Sequence, residues 1–263
     1  MAKPTLIRIP TDERLRSLLV QLQKNDELFG KTSESSLDIL FSLEAYYEEI
    51  GSETEVLKTC RKILTRNEAR PVPDDAVSCE FLVRESYALM ALEQYGEAEK
   101  SARKALPLTR MIAGPDSYPY YLNNRILVDA MERNGKPMSA MHRGKSLLRL
   151  ASSVLEEGNP EHTQVFLDQA RRFIRAGKQD DALRTLERID GDGISEKEMR
   201  IHYLMLKLIV LGALERYGDV LQTGRKILPL LDPKKNEAQC EYVNQCMNSA
   251  GLMLTFSDKE PES

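Results

Sequence analysis

Small and apolar residues recur along the chain at three positions of one helical pattern. The first position is held by Val56, Ala98, Ala140, Ala182 and Val220, at successive spacings of 42, 42, 42 and 38 residues. Four residues further on stand Cys60, Ala102, Gly144, Leu186 and Gly224, and three beyond those stand Ile63, Ala105, Leu147, Ile189 and Ile227. Spacings of i, i+4 and i+7 lie on one face of an α-helix. Small side chains on that face allow two helices to pack closely.

A turn precedes each of these five helices. The preceding helix is predicted to end at Gly51, Glu93, Gly135, Gly177 and Glu215. Three of the five are glycine, the residue that most readily takes the left-handed conformation just past a helix end. The pattern therefore predicts five helix pairs, in which the second helix of each pair carries the small residues.

This arrangement resembles the tetratricopeptide repeat (TPR) family. The two best-matching units are Leu89, Ala91, Tyr95, Gly96, Ala98, Ala102 and Ala105, and Phe166, Ala170, Phe173, Gly177, Ala182 and Leu186. The usual repeat has 34 residues, and the spacing of 42 is similar to the kinesin-light-chain type. The loop Gly114–Pro119 followed by Leu122-Asn123-Asn124 resembles the signature of that type, and Gly158–His162 followed by Phe166–Ala170 is a weaker copy.

The resemblance implies an all-α, right-handed superhelical solenoid of five helix pairs with capping helices at both ends. We expect an N-terminal segment and capping helix over 1–34, the repeats over 35–232, a C-terminal capping helix over 233–256 and a disordered tail over 257–263. One continuous domain is preferred to two, because no low-complexity linker interrupts the repeats.

Both terminal helices are predicted from their caps and apolar faces. Thr11 is the expected N-cap of the first helix, with Asp12 and Glu13 in its first turn, where the helix dipole favours acidic residues. The face expected to pack on the repeats is Leu15, Leu18, Leu19 and Leu22 in that helix, and Cys240, Val243, Met247, Ala250 and Leu254 in the last one.

Composition limits the classes of partner. The chain of 263 residues has a net charge of −4, so its overall balance does not favour nucleic acid, whose phosphates require basic residues. A membrane surface is disfavoured for the same reason. No apolar run has the length of a secretory signal or a membrane span. We therefore predict a cytoplasmic protein.

Sequence motifs give no sign of enzymatic chemistry. His142, His162 and His202 fall in different units and at different positions within them, and the four cysteines form no CxxC pair. Gly191-Asp192-Gly193 lacks the preceding strand and the third glycine of a dinucleotide-binding loop, so it is predicted to be a turn between repeats. We expect no catalytic residue, cofactor or metal site.

The resemblance implies that the first helices line a concave groove. Its predicted lining residues are Arg84, Tyr87, Arg125, Asp129, Arg171 and Arg175. Arginine binds carboxylates in bidentate fashion, so one interpretation is a groove for an acidic peptide. The alternative is that these arginines are solvated residues paired with Asp129, Glu132 and Asp168. The positions that carry the carboxylate clamp of related co-chaperones hold Phe41, Ala45, Arg84, Leu122 and Ile126 instead.

The first helix of the fifth unit, IHYLMLKLIVLGALERY, is apolar on nearly all sides. Such a helix is usually covered on every side. It is either buried beneath the C-terminal capping helix or exposed as a docking site for a partner helix or a second copy of the chain, which would give a homodimer.

These features favour a non-enzymatic adaptor or scaffold that binds a protein or peptide partner. The alternative is a regulatory or chaperone-type subunit that senses a peptide or holds a client protein. The sequence leaves open whether the groove or the opposite, convex face is the binding surface.

Overall fold

A computed structural model describes residues 12–257. This range contains α-helices and one short 3-10 helix, and no strand. The predicted all-α fold of paired helices is confirmed. The helices are α1 (Glu13–Phe29), α2 (Glu34–Glu49), α3 (Glu53–Glu68), α4 (Asp75–Ala91), α5 (Tyr95–Ala113), α6 (Tyr118–Arg133), α7 (Pro137–Val154), α8 (Pro160–Arg175), α9 (Gln179–Leu186), α10 (Lys197–Ala213), α11 (Tyr217–Ile227) and α12 (Glu237–Ser257), with the 3-10 helix at Leu228–Leu230.

The chain divides into two compact units, one ending at Lys136 and the other beginning at Pro137. The first, unit 1, contains α1 to α6, and the second, unit 2, contains α7 to α12. In each unit, helices that follow one another along the chain pack together. The predicted single domain and the predicted domain boundaries stay predictions.

The turns within the helix pairs share one backbone geometry. All five predicted turn residues have a positive φ: 67° at Gly51, 59° at Glu93, 73° at Gly135, 69° at Gly177 and 58° at Glu215. After each of them the next backbone N–H bonds to the carbonyl five residues earlier, as from Gln94 to Leu89 at 2.8 Å. This is the Schellman arrangement, which satisfies carbonyls left unpaired at a helix end. The five-fold recurrence shows that the helix pairs are true repeats.

The small-residue stripe lies in the core, as the spacing predicted. All fifteen of its positions are buried. A Cβ atom on Gly144 would lie 1.9 Å from Oε1 of Gln169, and one on Gly224 would lie 2.4 Å from the sulfur of Met247. A Cβ at either position would therefore require the buried Gln169 or the partly buried Met247 side chain to shift, so these glycines suit the close packing of α7 on α8 and of α11 on α12.

The fourth second helix is shorter than the others. α9 has 8 residues, whereas α3, α5 and α7 have 16 to 19. A loop containing Gly191-Asp192-Gly193 follows, as predicted for a turn between repeats. The shorter helix and its loop account for the spacing of 38 rather than 42 residues at this point.

The N-terminal helix is tied to the first repeat by polar contacts. Thr11, the predicted N-cap, lies outside the described residues, and the cap is Asp12, whose side chain accepts hydrogen bonds from the backbone N–H of Arg14 and Leu15. The other carboxylate oxygen of Asp12 accepts the Tyr46 hydroxyl at 2.8 Å. Of the predicted packing face, Leu22 is buried and Leu15 and Leu18 are partly buried, but Leu19 is 38% exposed because it turns toward solvent.

The C-terminal helix packs on α11 through its predicted face. Val243 and Ala250 are buried, and Met247 covers Gly224. The apolar helix of the fifth unit is α10, in which Leu204, Leu208 and Leu211 are buried. α10 packs mainly against α8, α9 and α11. Its predicted burial beneath the C-terminal capping helix and its alternative role as a docking site both stay predictions. Residues 258–263, most of the predicted disordered tail, lie outside the described residues.

Candidate partner-binding surface

The first helices of successive repeats lie beside one another in each unit. In unit 1, α2 and α4 are joined by stacking of Phe41 on Phe81, with ring centroids 4.9 Å apart, and α4 also contacts α6. In unit 2, a hydrogen bond between Arg171 Nη2 of α8 and His202 Nε2 of α10, 2.7 Å apart, connects the two first helices. We call the surface formed by these helices the first-helix face of each unit. Four of the six predicted groove residues belong to unit 1, and two belong to unit 2.

Arg84 is held by three carboxylates of its own unit. Its Nη1 atom donates to Glu44 at 2.9 Å and to Glu48 at 3.1 Å, and its Nε atom donates to Glu80 at 3.1 Å. These partners differ from the pairing expected from the sequence, which named Asp129, Glu132 and Asp168. An incoming carboxylate would have to compete with all three, so Arg84 is poorly suited to bind an acidic peptide.

The carboxylate nearest the core of this network is Glu44, which is only 2% exposed. Burial raises the pKa of Glu44 above its ordinary value, although the Arg84 guanidinium opposes that shift. Beneath it, burial raises the pKa of the Cys60 thiol to about 12. Cys60 is therefore a neutral core residue and not a reactive thiolate.

Tyr87, Arg125 and Asp129 are the other predicted groove residues of unit 1. Tyr87 lies on α4 and is 47% exposed. Arg125 and Asp129 lie one turn apart on α6, and both are partly buried. All three already make polar or aromatic interactions within the chain. They lie on adjacent helices, and their role in binding stays a prediction.

Arg171 and Arg175 lie one turn apart on α8 of unit 2. Arg171 donates to Asp168 at 2.9 Å, the pairing that the alternative interpretation expected, while Arg175 is exposed. Burial, reinforced by the Arg171 guanidinium, lowers the pKa of His202. His202 therefore stays neutral near pH 7 and adds no positive charge to the two arginines.

The first-helix face of unit 1 carries an excess of carboxylates that the groove prediction did not include. α2 has no basic residue, and in α4 the only basic residue is Arg84. The acidic residues of these two helices are Glu34, Asp38, Glu44, Glu48, Glu49, Asp75, Glu80 and Glu85. Of these, Glu85 is buried and paired with Arg61 of α3, and Glu49 is paired with Arg14 of α1. Alignment of the first helices by the repeat spacing would have revealed this excess, because Glu44 precedes Arg84 by 40 residues, close to one repeat.

An open slot of about 380 Å³ lies beside Arg84 and Glu80, between α4, the end of α5 and the start of α6. Its remaining wall is formed by Ala76, Cys79, Val83, Thr109, Ile112, Ala113, Pro119 and Leu122. Ile112 is 49% exposed. We call this feature the apolar slot. It was missed from the sequence because its residues come from three helices, and Ile112 and Ala113 lie at the end of a second helix.

A second open cavity, of about 420 Å³, lies between α10, the start of α11 and α12, and its lining includes no charged residue. Within residues 12–257, no group of three or more His, Cys, Asp and Glu side chains is placed to hold a metal ion. In the same range, no helix has the length and apolar character required to cross a lipid bilayer. His162 is buried against Phe166, with ring centroids 4.5 Å apart, and burial lowers its pKa. It therefore packs as a neutral core residue.

Comparisons with known proteins give likenesses of structure and not of sequence. No protein-family model matches the chain, and no curated protein matches it in sequence. Among solved structures, BtubC (BKLC) from P. vanneervenii is 11% identical with a TM-score of 0.58, over 95% of this chain and 93% of that one. The apo form of RapI is 10% identical with a TM-score of 0.56, over 92% and 93% of the two chains.

A third solved structure has repeats of the type that the 42-residue spacing indicated. It is a kinesin-light-chain variant from Podosopora anserina with nearly identical TPR-like repeats, 14% identical to this chain with a TM-score of 0.54, over 73% of this chain and 86% of that one. At these identities the likeness concerns the fold. Together with the recurrent turns and the buried small-residue stripe, these likenesses show that the chain has the fold of the TPR-like repeat proteins.

Proposed function

We propose that this chain is a non-enzymatic adaptor that binds a protein or peptide partner on its first-helix faces. The supporting observation is the apolar slot on the first-helix face of unit 1, open to solvent and bordered by charged side chains. Exposed apolar surface with a polar rim is typical of a protein-binding site. The proposed contact residues are Arg84, Tyr87, Arg125 and Asp129 in unit 1, and Arg171 and Arg175 in unit 2.

Site-specific photo-crosslinking in extracts of the native cell tests this proposal. The crosslinker p-benzoylphenylalanine would replace Tyr87 on α4, with Lys100 on the second helix α5 as the matched exposed control. In unit 2 it would replace Arg175 on α8, with Arg149 on α7 as the control. Mass spectrometry would then identify the crosslinked partner segment.

We expect a partner to crosslink through Tyr87 or Arg175 and not through the controls. Equal or stronger crosslinking from Lys100 and Arg149 would place the partner on the second helices and contradict the proposal. A partner that co-purifies with the chain but crosslinks at none of the four positions would contradict it as well.

A further inference from the structure

The apolar slot has the size and composition to hold an apolar side chain from another molecule. Its volume is about 380 Å³, and only Glu80 and Arg84 among its lining residues carry charge. Ile112 at its rim is half exposed, so an inserted aliphatic group would cover surface that now faces water. Burial of apolar surface is the main source of affinity in such contacts.

The charged residues beside the slot determine which residues are favourable next to the inserted apolar side chain in the partner's sequence. The side chains of Glu80 and Glu48 are 56% and 67% exposed, and each forms one hydrogen bond with Arg84. A carboxylate has about four acceptor positions, so both retain positions for a further donor. Asp38 and Asp75 on the same two helices are also exposed. Glu49 and Glu85 are paired with basic residues of α1 and α3. The exposed carboxylates Asp38, Glu48, Asp75 and Glu80 still outnumber the single guanidinium of α2 and α4, and this excess favours a cation.

We infer that the apolar slot binds an apolar side chain of a partner segment whose neighbouring residues are lysine or arginine, with Glu48 and Glu80 as the acceptors. This inference rests on the proposed function and names the chemistry of the partner at the same face. It replaces the acidic peptide that the arginines suggested in the sequence, because Arg84 is committed to Glu44, Glu48 and Glu80.

Three labelled peptides of equal length and one full-length protein test the inference by fluorescence anisotropy. The peptides are SKRLLRKS, SEELLEES and SKRSSRKS, so that charge and apolar content vary separately. We expect SKRLLRKS to bind most tightly, by about threefold to tenfold over SEELLEES at low salt, with a smaller difference at high salt. SKRSSRKS should bind weakly because it has nothing to insert into the slot.

Variants of the protein assign the binding to the slot. Ala76→Phe, at an exposed position in the slot wall, should fill the slot and weaken the binding of SKRLLRKS by about tenfold or more. Ala113→Leu is a second variant that should fill the slot in the same way. The double variant Glu48→Gln with Glu80→Gln should remove most of the preference for the basic peptide. Its matched control is Glu27→Gln with Glu68→Gln, two exposed carboxylates away from the slot. Helicity by circular dichroism would confirm that each variant is folded.

Several results would overturn the inference. They are a preference for SEELLEES, the absence of saturable binding of SKRLLRKS, or equal binding by folded Ala76→Phe and Ala113→Leu. A dimer in light scattering that Ala76→Phe abolishes would show that a second copy of the chain occupies the slot instead.

The two proposals fail separately. If a partner crosslinks through Tyr87 while SEELLEES is the preferred peptide, the inferred chemistry is wrong and the adaptor function stands. If crosslinks arise only from Lys100 and Arg149, the adaptor surface itself is wrong, whatever the peptides bind.

Discussion

Glu99 is a buried carboxylate whose ionisation should control the stability of unit 1. It lies on α5, is 3% exposed, and accepts hydrogen bonds at 2.8 Å from Arg103, Asn134 and Lys136. Asn134 and Lys136 flank the turn residue Gly135 at the end of α6. Burial alone would raise the pKa of Glu99, but these three donors outweigh burial and lower the pKa to about 2 from an ordinary 4.5.

The size of the effect follows from that shift. Each pKa unit corresponds to about 1.4 kcal/mol, so the lowering from 4.5 to about 2 amounts to at most about 3.5 kcal/mol of folding free energy. Arg103 and Lys136 are half exposed, and solvent screening reduces the figure to roughly 2 kcal/mol. Because the folded pKa lies below the unfolded one, this contribution is complete above about pH 4.5 and is lost as the pH falls toward about 2.

The variant Glu99→Gln tests this account. Urea unfolding followed by circular dichroism at pH 7 should show a loss of about 2 kcal/mol, and the difference from the original chain should shrink between pH 4.5 and pH 2. Glu68→Gln, which changes an exposed carboxylate of the same unit, should have little effect at any pH. A loss at pH 7 that persists unchanged at low pH would refute the electrostatic explanation and indicate a packing defect instead.

Three variants that add or remove a glycine test the repeat geometry. Gly144→Ala should destabilise unit 2 by about 1–3 kcal/mol in urea unfolding, because its Cβ would meet the buried Gln169 side chain. The control Gly212→Ala on α10, where the space around the glycine is open, should be neutral or stabilising. Equal losses of stability in both variants would contradict the packing argument. Glu215→Gly should raise the free energy of unfolding by about 0.5–1 kcal/mol, because the backbone at Glu215 has a φ of 58°, which is strained in a residue with a Cβ. A loss of stability in this variant would contradict the strain argument and show that the Glu215 side chain makes a stabilising contact.

The fold was predictable from the sequence because each repeat contains the same local constraints. The buried stripe that begins at Val56 and the turn at Gly51 recur in every helix pair. A wrong assignment in one repeat would therefore have disagreed with the pattern of the other four. The same periodicity could have revealed the contacts of Phe41 with Phe81 and of Glu44 with Arg84, both of which span 40 residues.

The binding surface was less predictable, since it depends on groups with no common spacing. The apolar slot combines Val83 and Leu122 from two first helices with Ile112 from the end of a second helix. The prediction from the sequence selected four arginines with Tyr87 and Asp129, but not the carboxylates that surround Arg84. The role of Arg84 in binding stays a prediction, and its contacts with Glu44, Glu48 and Glu80 were not foreseen.

The net charge of −4 is a sum over helices whose individual charges differ in sign. α2 has acidic residues and no basic ones, whereas α7 has basic residues and no acidic ones. In a repeat fold, helices of the same kind lie on the same face of a unit, so their charges add on that face and are not averaged over the chain. Under the proposed function, the charge that a partner of unit 1 would meet is the sum over its first helices, and over α2, α4 and α6 that sum is negative. A partner segment for this face should be basic even though the whole protein is only weakly charged.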